Sequence, residues 1–231
     1  MKKKMMALVL CVALVAVAAV GATMAYFTDT KDVTNTFTVG NVDITLTETA
    51  VDENGNAITG DGAGRFAHGN KYKLFPGSTY TKDPQVTVEA GSEDAYVRML
   101  VEVKNLDKLK AAFPKERYPE YYAANDVFLL QNLVQGWDNA VWTTTGVCTE
   151  KTETVEGKDV TYGTYEFRYK EVVKAPKKLE ALFTSFTIPE KATAADIAHL
   201  ENVEIKVIAN AIQAENLGSA DIAWTAFGAQ A

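Results

Sequence analysis

Tyr96-Val97-Arg98-Met99-Leu100-Val101-Glu102-Val103 decides the fold class. Val97, Met99, Val101 and Val103 share one parity, while Arg98, Glu102 and Lys104 share the other. That period of two belongs to a strand with one face in a core and the other toward water. Working outward, residues 85–89 and 71–75 read as two further strands separated by a Pro76-Gly77 turn. On the C-terminal side, residues 142–149 and 161–169 resemble the arms of a hairpin, with Tyr165, Phe167 and Tyr169 on one face and a polar tip at 150–158. Residues 182–188 and 203–212 complete the set, with Val203, Ile205, Val207, Ala209 and Ala211 alternating along the last.

The period changes between 105 and 135. Leu106, Leu109 and Phe113 are spaced for a helix ending at Pro114, and Asp126 is placed to cap a second helix carrying Leu129, Leu130 and Leu133. This stretch is expected to be a helical insertion between strands. A short helix is expected at 192–200, and the terminal segment 219–227 is expected to cap one end of the core with Trp224 and Phe227. Roughly nine strands with short helices between them predict a mainly β fold, a jelly-roll-like two-sheet β-sandwich with short helical insertions.

Residues 1–25 read differently from the rest. Lys2, Lys3 and Lys4 precede an uncharged apolar run from Met5 to Ala22, and Thr23-Met24-Ala25 supplies small residues before a cut between Ala25 and Tyr26. This is the pattern of a secretory signal peptide, so 26–231 is expected to be the mature, single-domain chain and the membrane a partner only before cleavage. Cleavage would remove three lysines and no acids from 23 basic and 30 acidic residues, leaving a net charge of −10. An acidic chain without a basic stripe argues against nucleic acid and against anionic membrane surfaces. Cys11 lies in the signal, which leaves Cys148 alone in the mature chain and no intramolecular disulfide to form.

Signals for catalysis are sparse. Zinc hydrolysis needs three protein ligands, commonly two histidines one helical turn apart, and the chain has His68 and His199 alone. His199-Leu200-Glu201-Asn202 does not reproduce His-Glu-x-x-His. There is no Gly-x-Ser-x-Gly, and Cys148 in a strand beside Trp142 reads as a small core residue rather than a nucleophile. Asp52, Asn54 and Asn56 alternate as calcium ligands do, yet Ala63 stands where a bidentate acid is required. Residues 52–64 therefore read as a long turn rich in Gly, Asn and Asp. No cofactor, metal or catalytic residue is expected.

Ala22-Thr23-Met24-Ala25-Tyr26-Phe27-Thr28-Asp29-Thr30 and Thr36-Phe37-Thr38-Val39-Gly40-Asn41-Val42-Asp43-Ile44 resemble the N-terminal signature of the TasA/camelysin family, whose members are processed by a SipW-type signal peptidase. Phe75-Pro76-Gly77, Asp94-Ala95-Tyr96-Val97-Arg98 and Ala209-Asn210-Ala211-Ile212-Gln213-Ala214 are also similar to family segments. The resemblance implies a jelly-roll domain secreted by Gram-positive bacteria to the extracellular matrix or cell surface. TasA-like members assemble into biofilm-matrix fibres, in which the freed N-terminal segment inserts as a donor strand into the next subunit. Residues 26–39 match that segment, with Phe27, Val33 and Phe37 sharing one parity as candidate anchors. An unpaired sheet edge can accept such a strand, and head-to-tail insertion that does not close yields a filament. The other reading of the same residues is a first strand internal to a monomeric surface or wall-associated protein. A camelysin-like metallopeptidase is a third, and it lacks the zinc motif.

Overall fold

The computed structural model describes residues 41–229. Its largest sheet has the order β11-β5-β8-β7, formed by Glu204–Gln213 (β11), Ala95–Lys104 (β5), Lys158–Tyr169 (β8) and Trp142–Val155 (β7), all antiparallel. β5 is the strand quoted at the outset, and it is central. Ala95, Val97, Met99, Val101 and Val103 are fully buried, whereas the residues between them are half-buried.

The opposing layer is broken into two short sheets. One is β2-β1-β4-β9, from Arg65–Phe66 (β2), Ile44–Thr49 (β1), Gln85–Val88 (β4) and Lys177–Lys178 (β9). The other is β3-β10-β6, from Thr79–Thr81 (β3), Ser185–Thr187 (β10) and Val134–Gln135 (β6). The break falls at residues 82–84, where Pro84 has no N–H to give a ladder. Backbone bonds nevertheless cross the gap, from Leu182 N–H to Pro84 C=O at 2.9 Å and from Lys82 N–H to Thr184 C=O at 3.1 Å. The two small sheets thus act as one kinked layer. Tyr80, Val86, Val88, Leu179, Leu182 and Phe183 of this layer share one core with Val97, Met99, Val101, Tyr165 and Phe167 of the large sheet. The mainly β architecture holds, with three hydrogen-bonded sheets making its two layers.

Several local expectations are corrected. Residues 71–75 form no ladder, although their exposure alternates as in a strand. Their backbone is held otherwise: Lys73 N–H donates to Glu53 C=O at 2.7 Å, and Tyr80 Oη donates to Lys73 C=O at 2.9 Å and accepts from Phe75 N–H at 2.7 Å. The helical insertion is largely irregular. Leu106–Ala112 (α1) is a helix, burying Leu106 and Leu109 as its spacing requires. Asp126, however, does not cap a second helix: it sits at φ 65 in a turn closed by Ala123 N–H donating to Asp126's neighbour Val127 C=O at 2.8 Å. Only a 3₁₀ turn, Leu130–Asn132, follows. The polar segment 150–158 is not a loop either, since β7 and β8 continue through it to a two-residue turn at Glu156-Gly157.

Two further helices are short. Ala194–His199 (α2) begins with a capping box between Thr193 and Asp196. Ala220–Gly228 (α3) does not cap an end of the core as expected. It lies on the outer face of the large sheet, where Arg98, opposite in parity to the buried Val97 and Met99, stacks its guanidinium 4.5 Å from the Trp224 ring and 5.0 Å from that of Phe227.

Candidate strand-acceptor edge

β11 is an edge strand, and its cover is incomplete. It pairs with β5 over ten residues, so that Ile205, Val207, Ala209 and Ala211 stand opposite Val103, Val101, Met99 and Val97. The β5 members are fully buried, yet all four β11 members are only partly so, although they pack against the same core. Two strands of one sheet, sharing one inner face, thus differ in cover across a single step. Among the described residues no strand pairs with the outer edge of β11. An edge of this kind offers unpaired backbone groups and a row of small and branched apolar side chains to an added strand.

β1 approaches β11 without a ladder between them. Val42, Ile44 and Leu46 of its even face are half-buried, and the same face continues into buried Glu48 and Ala50. The chain therefore enters the sandwich beside the undercovered edge. The cleavage pair Ala25 and Tyr26, and the candidate anchors Phe27, Val33 and Phe37, lie outside the described residues.

The side chains singled out for chemistry are scattered. His68 is exposed and stacks on Phe66, with ring centres 5.0 Å apart. His199 is exposed at the end of α2. Asp52 binds its own turn: its carboxylate accepts from Asn54 N–H and Asn56 N–H, each at 2.9 Å, which holds its pKa below the ordinary value. Cys148 is half-buried on β7, and burial pushes its thiol up, the opposite of an activated nucleophile. Among the described residues no group of three or more His, Cys, Asp or Glu is arranged to hold a metal ion. The described residues therefore assemble no zinc-peptidase ligand set.

The β7–β8 hairpin is legible in the sequence, but its expected tip at 150–158 is too broad, because those residues are polar and the ladder runs through them to Val155 and Lys158. The signal that locates the true turn is Glu156-Gly157 itself, a two-residue step between runs of alternating Thr and charged residues.

Fold and edges define a class: an antiparallel two-layer β protein with open sheet edges and no assembled metal cluster among its described residues. Residues 1–74, about a third of the chain, match the family described as camelysin metallo-endopeptidase, in line with the TasA/camelysin resemblance of the N-terminal residues. No curated protein and no solved structure matches the chain.

Proposed function

We propose that this chain is a secreted structural protein, a subunit of extracellular matrix fibres that assembles by donating residues 26–39 as a strand to the next copy. The observation that carries this reading is the undercovered β11 edge. Ile205, Val207, Ala209 and Ala211 keep partial exposure beside fully buried partners on β5, and a strand laid along β11 would complete their cover. Alternate residues Phe27, Val33 and Phe37 supply the apolar side chains such a strand needs. Cleavage after Ala25 by a SipW-type signal peptidase would release the segment from the membrane, so that processing acts as the switch for assembly.

The camelysin description raises a peptidase as the second reading. With exposed His68 in a bend after β2 and exposed His199 ending α2, the described residues give it no metal centre, and we assign the chain no proteolytic step.

The test compares the chain beginning at Tyr26 with one beginning at Phe37, both concentrated at neutral pH and viewed by negative-stain electron microscopy. Filaments from the longer form and folded single particles from the shorter support donor-strand assembly. Monomers from both, with the shorter form markedly less stable, would assign the segment to its own sandwich and end the fibre reading. Casein cleavage by the longer form that chelators stop would establish the peptidase instead.

A further inference from the structure

The strands of the β7–β8 arm run past the body of the sandwich. Every residue from Lys151 to Asp159 is exposed, so both faces of the arm stand in solvent. Its turn consists of Glu156 at φ 51 and Gly157 at φ 75, with Val155 opposite Lys158. Two left-handed residues in a two-residue loop make the turn type whose flanking pair exchanges both backbone hydrogen bonds. The alternation of an antiparallel ladder then assigns the remainder. Val155, Glu153 and Lys151 bond across to β8, while Thr154, Thr152 and Glu150 turn their N–H and C=O groups to the outer edge. Among the described residues that edge has no partner.

We propose that this edge pairs antiparallel with the same edge of a second copy of the chain, about a two-fold axis through Thr152. Backbone phase requires outward-facing residues to meet outward-facing ones, so the axis can pass through any residue from Glu150 to Thr154; centring on Lys151 or Glu153 sets that charge against itself at the close, non-hydrogen-bonded position. Centring on Glu150 sets that carboxylate against itself. Centring on Thr154 sets Lys151 against Gly157 and Glu153 against Val155, so no charge meets its complement. Centring on Thr152 sets Thr152 against Thr152, Glu150 against Thr154, and Lys151 against Glu153 twice over. The two charge pairs fall at the non-hydrogen-bonded positions, where facing side chains come closest. Lys151 and Glu153 already lie 3.0 Å apart within one arm, so pairing would alternate four charges on one face.

Edges are blunted against pairing by a proline, a bulge or charges, and charges of both signs can instead be matched across a single register. Here the bulge lies earlier, between Thr144 and Cys148, and residues 149–155 contain no proline and charges of both signs. This edge lies at the opposite side of the large sheet from β11, and the contact would join fibres or subunits side by side.

The experiment is disulfide trapping in the full secreted chain carrying Cys148→Ser. Thr152→Cys should give a covalent dimer under mild oxidation, because hydrogen-bonded antiparallel partners stand about 5.5 Å apart at Cα, within disulfide reach. Thr154→Cys, which faces Glu150 in this register, should link at least about tenfold more slowly. Adding Lys151→Glu to Thr152→Cys should slow linking about tenfold, as two attractive pairs become repulsive, and adding Glu153→Lys as well should restore it. Equal linking at 152 and 154, no link at 152, or a charge swap that fails to restore the rate would each overturn the pairing. So would a link from Thr152→Cys to a cysteine placed at Thr36 in preference to its own copy, which would give the edge to the N-terminal segment.

Discussion

Lys82 Nζ donates to both carboxylate oxygens of Glu48, at 2.7 and 3.0 Å, and both residues are buried. Glu48 lies on the inward, even face of β1, in line with Ile44 and Leu46, so its charge points where an apolar side chain belongs. Lys82 reaches it from the kink that divides the second layer. The pair thus ties β1 to the residues at which Pro84 interrupts the ladder. Removing one partner leaves the other charge buried alone: Glu48→Ala should cost about 3–5 kcal/mol, whereas Glu48→Leu with Lys82→Met should be close to neutral. Urea denaturation of the three proteins distinguishes these outcomes, and equal losses in the single and double variants would refute the account.

The Asp196 carboxylate accepts from Thr193 N–H at 2.7 Å, from the Thr193 hydroxyl at 2.8 Å and from Arg117 Nη1 at 2.8 Å. Burial works to raise its pKa, but these bonds outweigh it and hold the carboxyl below its ordinary 3.8. A carboxylate whose folded pKa is depressed contributes stability above its unfolded pKa and loses it as pH falls through the folded value. Asp196→Asn should therefore lower stability at neutral pH and flatten the acid limb below about pH 4 relative to the parent. Thr193→Ala, which removes the cap acceptor and the hydroxyl donor to Asp196 but keeps the backbone and Arg117 bonds, should cost about 1 kcal/mol. Thermal unfolding at pH 7 and pH 3 reads both effects.

What was legible in the sequence follows from which force fixes each element. β5 and β11 were readable because burial on one face writes a period of two into the residues, and α1 because Leu106, Leu109 and Phe113 write a helical one. Asp126 misled because an aspartate before apolar residues signals a cap and a left-handed turn equally well. Residues 71–75 kept their strand-like alternation but gave their backbone bonds to the Tyr80 hydroxyl and the Glu53 carbonyl, partners that only the fold brings near. Trp224 and Phe227 were rightly assigned to packing, yet their surface is the outer side of the sheet, supplied by Arg98, which as a charged residue reads as solvated. Of the proposed acceptor edge, the alternation of β11 was visible and its partial cover was not, because cover depends on what lies beside a strand.

Gly163 sits on β8 beneath α1. A methyl group there would come within 2.6 Å of Leu106 Cδ2 and 2.7 Å of Cys148 Sγ, although the backbone itself is unstrained. Gly163→Ala should cost about 1–3 kcal/mol by overpacking. Combining it with Cys148→Ala should recover part of the loss, since that change removes one of the two contacts. Guanidinium denaturation measures the pair, and a Gly163→Ala protein as stable as the parent would show that α1 can shift freely from β8.

Trp224 fastens α3 to the large sheet through Arg98, and Arg168 adds a bond to Asp221 at 2.6 Å. The helix begins with Ser219, whose hydroxyl accepts from Ile222 N–H at 3.3 Å, but Ile222 itself is largely exposed. Its attachment rests on buried Ala223, on the Trp224 and Phe227 rings against Arg98, and on one surface ion pair, of which the surface pair contributes at most about 1 kcal/mol. Trp224→Ala should release the helix without unfolding the sandwich, because the β5 core beneath Arg98 is built from Val97, Met99 and Val101 on the opposite face. Amide exchange should then rise throughout Ala220–Gly228 and stay slow in Ala95–Lys104. Rapid exchange in both would show that α3 supports the large sheet rather than resting on it.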